Sequence, residues 1–253
     1  NSKLRQIGEY AFAKTALKEI ELPQNLKIIE RYAFYNCKRL RNIEFKGQVI
    51  GDYAFADSGL FQFEASSDLK EIGQYAFYNC AEMTTFAINA DESQLESMGP
   101  YAFSQTGLKE FPIPANVNII EEGLLSSCLQ LKRTTFSAKS KARVIKKYAF
   151  ANNPLLQIVR APKTIQELSG KAFINTPSLI TLFNESNALF EVTKDLTVYG
   201  KDRSLVFVPR HVTSVLVLPK CPVIHSGAFC GPKLKSVQFL DESLLMIERG
   251  AFA

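Results

Sequence analysis

Nine copies of an Ala-Phe pair recur along the chain, with the phenylalanines at Phe12, Phe34, Phe55, Phe77, Phe103, Phe150, Phe173, Phe229 and Phe252 and a degenerate copy at Leu124-Leu125. Successive anchors are separated by 22, 21, 22, 26, 22, 25 and 23 residues as far as Phe173, then by 56 and 23. One such copy is too short to bury its own hydrophobic face. A period in the low twenties therefore predicts a solenoid in which each coil covers the next. The expectation is one elongated domain over residues 1–253, built from about ten coils, rather than one or two ordinary globular units. A scaffold of this kind presents a surface, which favours binding or structural roles over chemistry.

Residues 17–37 show how one coil is assembled. Leu17, Ile20 and Leu22 form a strand with one buried face, and Pro23 stops it because proline cannot donate to a continuing ladder. Gln24-Asn25 turns the chain, and Leu26, Ile28 and Ile29 make a second short strand. Glu30-Arg31-Tyr32-Ala33-Phe34 then reads as a single helical turn of good helix formers. The first strand recurs at Leu40/Ile43/Phe45, Leu60/Phe63, Met83/Phe86/Ile88, Leu108/Phe111/Ile113, Leu131/Phe136, Leu155/Ile158, Leu179/Leu182 and Leu234/Val237/Phe239. Stacked in parallel, these copies predict one long sheet along one face. The slot before Ala-Phe holds Tyr10, Tyr32, Tyr53, Tyr75, Tyr101 and Tyr148, then Lys171, Gly227 and Gly250, which suggests partial exposure, while the phenylalanines form an internal aromatic stack.

Cys37, Cys80 and Cys128 share one register, three residues after their anchors, where other coils carry Thr15, Ser58, Thr106, Asn153 and Thr176. The slot asks for a small interior side chain. Cysteines two coils apart would sit ~10 Å from one another at strand spacing, beyond the ~7 Å Cα limit for a disulfide. They are predicted to be buried thiols, and only Cys221 and Cys230 are placed to pair.

Between Phe173 and Phe229 the pattern changes. Residues 189–210 alternate apolar and polar on both sides of Tyr199-Gly200-Lys201-Asp202, with Leu196/Val198 and Leu205/Phe207 as flanking strands, which is the pattern of a β-hairpin. The predicted organisation is coils over 1–183, a hairpin insertion over about 186–211, and resumed coils over 212–253.

Ile29-x-x-Tyr32-Ala33-Phe34-x-x-Cys37, Leu40-x-x-Ile43-x-Phe45, their further copies, and the hairpin with its Val206-Phe207-Val208-Pro209 strand together resemble the BspA-like branch of the leucine-rich repeat superfamily. The resemblance covers almost the whole chain. It implies a mostly β, nominally α/β, right-handed leucine-rich repeat solenoid. It also implies a secreted or surface-anchored adhesion or binding protein, found in bacteria and some protozoan parasites. The chain departs from the pattern at Leu124-Leu125, Arg160 and Asn184.

Few residues are arranged for chemistry. No glycine-rich phosphate loop, nucleophile elbow or paired carboxylates in one register are present, so no enzyme activity and no cofactor are expected. His225 occupies a surface slot. Cys221-x3-His225-x4-Cys230 matches no recognised zinc spacing and has no evident fourth ligand, so no metal is expected. No apolar run approaches the ~20 residues of a transmembrane span, and no leader opens the chain. The sequence enters mid-repeat at Leu4 and stops on the anchor at Phe252, which suggests a segment excised from a longer exported protein. Asn184-Glu185-Ser186 is a glycosylation sequon, meaningful only in a eukaryotic host.

Residues 132–147 carry Lys132, Arg133, Lys139, Lys141, Arg143, Lys146 and Lys147 with no acidic residue among them. Such a run is most often a solvated edge. Its functional reading is an anionic partner, a sulfated glycan, an acidic protein or lipid headgroups, whereas nucleic acid is disfavoured because no aromatic residues are interleaved and the net charge is only +5. On the outward positions of the predicted sheet, Lys132, Arg133, Leu156, Val159, Ile180 and Phe183 fall on one face. A basic patch then adjoins an apolar one, where a host or matrix protein or an anionic glycan is expected to bind, unless the hairpin covers it. The function expected is thus a non-catalytic adhesion module at a bacterial cell surface. The alternative is a structural spacer or surface antigen without a specific ligand.

Overall fold

The computed structural model describes residues 2–183, 187–229 and 233–252. The repeat builds a mostly β solenoid with parallel ladders on two faces, rather than one uninterrupted sheet on one. The first strands of the coils form three sheets: Asn42–Phe45 with Gln62–Ala65 and Thr85–Ala87; Glu110–Ile113 with Arg133–Phe136, Ile158–Ala161 and Thr181–Phe183; and Ser214–Val217 with Ser236–Phe239. The short second strands form their own ladders, from Gln6–Ile7 to Ser97–Met98 and from Ile119–Ile120 to Glu167–Leu168. Both faces break in the coil ending at Phe103. There the four extra residues turn the chain at Asn89, whose side-chain oxygen accepts the Asp91 N–H at 3.2 Å.

The segment read as a helical turn is a different structure. Each tyrosine of the Tyr-Ala-Phe triplets is left-handed, with φ between 55° and 61°, and Asn36, Asp57 and Asn79 two residues after their anchors are left-handed too. The backbone N–H groups then alternate. Ala33, Tyr35 and Cys37 donate three residues back, to Glu30, Tyr32 and Phe34, while Tyr32, Phe34 and Asn36 donate to Asp52, Ala54 and Ala56 of the following coil. A helix would keep every bond within the coil; this turn spends half of them on its neighbour. The geometry also explains why Gly123, Gly227 and Gly250, with φ of 62°, 78° and 74°, share the slot, since glycine bears no left-handed penalty. Lys171 stands there in the one coil where Gly170–Phe173 forms a 3₁₀ turn capped by Ser169.

Tyr10, Tyr32, Tyr53, Tyr75 and Tyr101 offset that penalty by stacking in one file, with ring centroids 4.8–5.1 Å apart. Inside, Phe12, Phe34, Phe55, Phe77 and Phe103 form a parallel file at 5.0–5.3 Å, into which Phe63 and Phe86 pack edge-on. Leu125 interrupts the file, which resumes with Phe150 and Phe173.

Cys37, Cys80 and Cys128 are buried free thiols. Their slot demands a donor as well as a small volume: the thiols donate to the carbonyls of Phe12, Phe55 and Phe103 one coil back, at 3.0, 3.1 and 3.2 Å. Asn153 does the same to Leu125 at 2.8 Å, and Thr15, Thr106 and Thr176 donate to their own anchors, Phe12, Phe103 and Phe173. The sequon at 184–186 and Cys230, the proposed partner of Cys221, lie outside the described residues.

Past Thr181–Phe183 the array is wedged open. A hairpin closed at Gly200–Arg203 is present, and Phe190–Val192 extends it to a three-stranded antiparallel meander with Val198–Gly200 and Leu205–Phe207. Leu205 then pairs in parallel with Ile224, returning the chain to the short-strand ladder. The Val208 N–H donates to Ala228 at 2.8 Å, the same bond that Phe150 makes to Ala172 and Phe229 to Ala251. Val208 is thus a further anchor, and the 56-residue step resolves into 35 and 21.

Candidate ligand-binding cleft

The predicted face changes composition once its register is known. Arg133 pairs with Ile158 and Thr134 with Val159, so Leu156, Val159 and Ala161 point inward, and Leu156 and Val159 have no exposed surface. Their assignment to an outward apolar patch is corrected. The Leu155/Ile158 reading slipped by one residue, which reverses every side chain of a strand. Apolar residues at both 155/156 and 158/159 made the slip possible. Counting from the anchor removes it, because Leu156 and Val159 stand six and nine residues after Phe150, as Leu40 and Ile43 do after Phe34.

Lys132, Arg133 and Ile180 are exposed, Ile180 by 63%, and Phe183 is half-buried. Lys132, Gln157 and Ile180 lie in line on adjacent strands, joined by backbone bonds of 2.8 Å. Arg133 is not free to steer an anion. Its guanidinium grips Glu110 in a two-pronged pair at 2.8 and 2.9 Å, holding the Glu110 carboxyl below its ordinary range. Lys146 and Lys147 likewise pair with Glu121 and Glu122 one coil earlier, and Lys141 donates to Asn116. The basic run winds around a coil and meets acidic residues there instead of forming one cationic patch.

What remains of the apolar patch opens into a cleft of about 700 Å³ between Thr181–Phe183 and the meander. Phe183 stacks on Phe190 at 6.1 Å, and Val192 and Leu196 extend this floor. Ile180 stands at one rim, with Lys201 and Arg203 of the hairpin turn at another. The turn is fixed locally: the Asp202 carboxylate accepts the Ser204 N–H at 3.0 Å and hydroxyl at 2.6 Å, and the left-handed Arg203 donates its N–H to Gly200. Phe190, Val192, Leu196, Lys201 and Arg203, which also line the cleft, carry no mark of it in the sequence. Their alternation marked a strand, but nothing in it specified the side on which the meander would pack.

His225 lies outside this cleft and apart from Cys221, whose buried thiol points to the Val223 carbonyl. The imidazole spans Ser204, at 3.0 Å, and Glu248, at 3.3 Å. The three residue types invite comparison with a hydrolytic triad, but Ser204 is buried and its proton is engaged by Asp202, so the cluster clamps the meander turn to the last two coils. Among the described residues no group of three or more His, Cys, Asp or Glu is disposed to hold a metal ion, and no helix is long and apolar enough to cross a membrane.

Six copies of the BspA type leucine rich repeat region match the chain over residues 5–132 and 70–194. The chain belongs to the BspA-type leucine-rich repeat family. Among solved structures it is similar to the pneumococcal vaccine antigen PcpA, at 25% identity and a TM-score of 0.71, with 82% of this chain and 56% of that one covered. It is also similar to a leucine rich cell surface protein of Faecalibacterium prausnitzii (21% identity, TM-score 0.61, 84% and 66% covered). A leucine-rich repeat protein of Bacteroides ovatus is a third such structure (19%, 0.59, 96% and 60%). The last two show the fold alone. The BspA-type chain spans between 56% and 66% of the length of these proteins. No curated protein matches it significantly. Its family and structural neighbours are repeat proteins.

Proposed function

We propose that this chain is a non-catalytic binding and adhesion module of an exported bacterial cell-surface protein, forming a single repeat domain over residues 1–253 that holds a protein or glycan ligand at the meander cleft. The observation that carries the reading is the cleft itself, a preformed concavity with an aromatic floor, an exposed Ile180 and two cations at its mouth. Sites of a few hundred Å³ with an apolar lining and few polar groups are the usual form of ligand pockets. The surface location rests on the likeness to a leucine rich cell surface protein and a vaccine antigen.

The test uses purified chain against immobilised matrix proteins and sulfated glycans, with Ile180→Ser as the variant. Ile180 is exposed, so its loss should weaken binding at least tenfold while the melting temperature stays within about 1 °C. Phe183 is unsuited to this purpose because its removal also strips the ring on which Phe190 rests. Antibody raised against the chain should label unpermeabilised source cells. Binding by neither ligand class, or binding indifferent to Ile180, would leave the spacer reading.

A further inference from the structure

Two coils are one residue short at the bend that leads into the first strand. Gly59 and Gly107 stand four residues after the anchors Phe55 and Phe103, and the next inward residues, Leu60 and Leu108, follow at five rather than at the six of Leu40, Met83 and Leu131. Each short bend therefore lies in a notch between two longer ones: Lys38-Arg39 and Ala81-Glu82 flank Gly59, and Ala81-Glu82 and Leu129-Gln130 flank Gly107. The protein closes the first notch itself. Arg41 Nη1 donates to the Gly59 carbonyl at 2.7 Å and pairs with Glu82 on the far side, lying 3.2 Å from where a Gly59 Cβ would stand. At the second notch Thr84 and Gln130 occupy the positions of Arg41 and Glu82, and the atoms nearest to the Cβ position of Gly107 are backbone atoms of Ala81 and Met83. A concavity of about 380 Å³ remains there, beside the interruption of the first-strand ladder between Thr85–Ala87 and Glu110–Ile113.

A gap in the side-chain bonds between coils falls at the same place. At the left-handed position two residues past the anchor, Asn79 Nδ2 donates to Asp57 at 2.7 Å and Asn175 Nδ2 to Asn152 at 2.9 Å. Between Asn79, Gln105 and Ser127 this chain of bonds stops. Gln105 Nε2 donates to the Tyr78 hydroxyl at 2.8 Å, and among the described residues Asn79 Oδ1, Gln105 Oε1, Ser127 Oγ and the Gln130 side-chain amide have no hydrogen-bond partner. All four residues line the concavity, with Leu129, exposed by 59%, and Ala81 as its apolar members and no charged side chain in the lining. We infer that this notch binds one neutral pyranose unit of a glycan, at a site separate from the meander cleft. The lining supplies amide and hydroxyl groups that donate and accept, the pairing that the hydroxyls of a sugar ring require, and Leu129 offers apolar contact to its C–H face. Successive slots are one coil apart, ~4.8 Å, a pitch comparable with one such ring. A guanidinium like that of Arg41 finds no carboxylate here, because Gln130 stands where Glu82 stands at the first notch, so a cation would lose water without gaining a counter-charge. A sulfated sugar meets no cation in the lining either.

The probes are cellotriose, mannotriose and chitotriose, each titrated against the whole chain by NMR, with N-acetylarginine amide and a heparin disaccharide as charged controls. At least one neutral trisaccharide should shift the Gly107 and Leu129 amides saturably, with a dissociation constant of about 1 mM or below, and neither control should do so. Saturable shifts with none of the three, or with a charged control instead, overturn the inference. The double substitution Thr84→Arg with Gln130→Glu rebuilds the closure seen at Gly59 and should abolish the shifts without lowering the melting temperature. Should that variant not fold, Gln105→Asn keeps a residue tolerant of the left-handed backbone and withdraws the amide by one methylene; it should weaken binding about fivefold, the scale of one lost hydrogen bond. Binding undiminished by these changes overturns the assignment. Sugar binding that is lost on Ile180→Ser but not on closing the notch belongs to the meander cleft, in which case the inference fails and the binding-module reading stands. Binding at the notch that is indifferent to Ile180→Ser supports the inference whatever becomes of the cleft.

Discussion

Truncating Phe77 to alanine tests the internal file directly. Its ring has no exposed surface and lies between Phe55, at 5.3 Å, and Phe103, at 5.0 Å, with Phe63 at 5.0 Å and Phe86 at 5.6 Å meeting it edge-on. A buried phenylalanine removed in this way costs about 3–5 kcal/mol, and the neighbours here are rings held by their own coils, which cannot collapse into the space. At about 2–4 °C per kcal/mol for a chain of this size, the melting temperature should fall by roughly 6–20 °C. Tyr75 is the control, two residues away and also stacked on both sides, at 4.8 and 5.1 Å, but half-buried and left-handed. Tyr75→Ala should cost clearly less, and Tyr75→Gly should be the milder of the two because glycine relieves ~1 kcal/mol of left-handed strain. Calorimetry and circular dichroism on the three variants decide the matter. Equal losses at Phe77 and Tyr75 would mean that the inner and outer files are exchanged, and a Tyr75→Gly variant weaker than Tyr75→Ala would refute the backbone argument.

Two further outcomes are expected. The Ser204 hydroxyl and N–H hold the Asp202 carboxyl below its ordinary range, and the Ser226 N–H does the same for Glu248. Depressed carboxylates contribute stability that is present above their unfolded values of about 3.9 and 4.3 and disappears as pH falls through the folded ones, so melting should be insensitive to these groups above about pH 5 and drop below about pH 4. Glu248→Gln should flatten that decline, and an unchanged slope would contradict the assignment. Burial pushes the Cys80 thiol up to about 12 and Cys128 to about 11, so neither should react with a thiol reagent at pH 8 until the chain is unfolded; labelling of the native protein at either position would refute their placement.

The architecture was legible because the anchors repeat and the interior is linear. Phe34, Phe55 and Phe77 occupy the same place in successive coils, and burial follows from period alone. The turn was not legible in the same way. Arg31-Tyr32-Ala33-Phe34 contains good helix formers, and local propensity says nothing of an N–H committed to a coil 20 residues later; the interchange of tyrosine with glycine at one slot was the available sign of a left-handed backbone. Ile180 and Phe183 lie outside the core as their register predicts, because Leu179 and Leu182 set that register without ambiguity, while Leu156 and Val159 were misplaced where two registers were equally apolar. The meander side of the cleft depends on contacts between segments of different register, which no repeat encodes. The same holds for the paired charges: Arg133 reads as part of a basic run, but its partner Glu110 is one coil away.

The rung bonds set which parts of this molecule can change in number. Phe34 donates to Ala54 as Phe55 donates to Ala76 and Phe12 to Ala33, so each early coil presents the same donors forward and the same acceptors backward. Deleting or duplicating a whole coil leaves no backbone group orphaned, and recombination between such copies is an easy route to arrays of different length. The wedge between Thr181–Phe183 and Val208 has no equivalent on either side and cannot be copied or dropped in this way. Gain or loss of an early coil therefore moves the cleft along the solenoid axis by about one strand spacing, ~4.8 Å, without altering its walls. On the proposed reading of the cleft as a binding site, reach and recognition can evolve separately in a lineage under selection: repeat number sets the first, and the wedge at the meander sets the second.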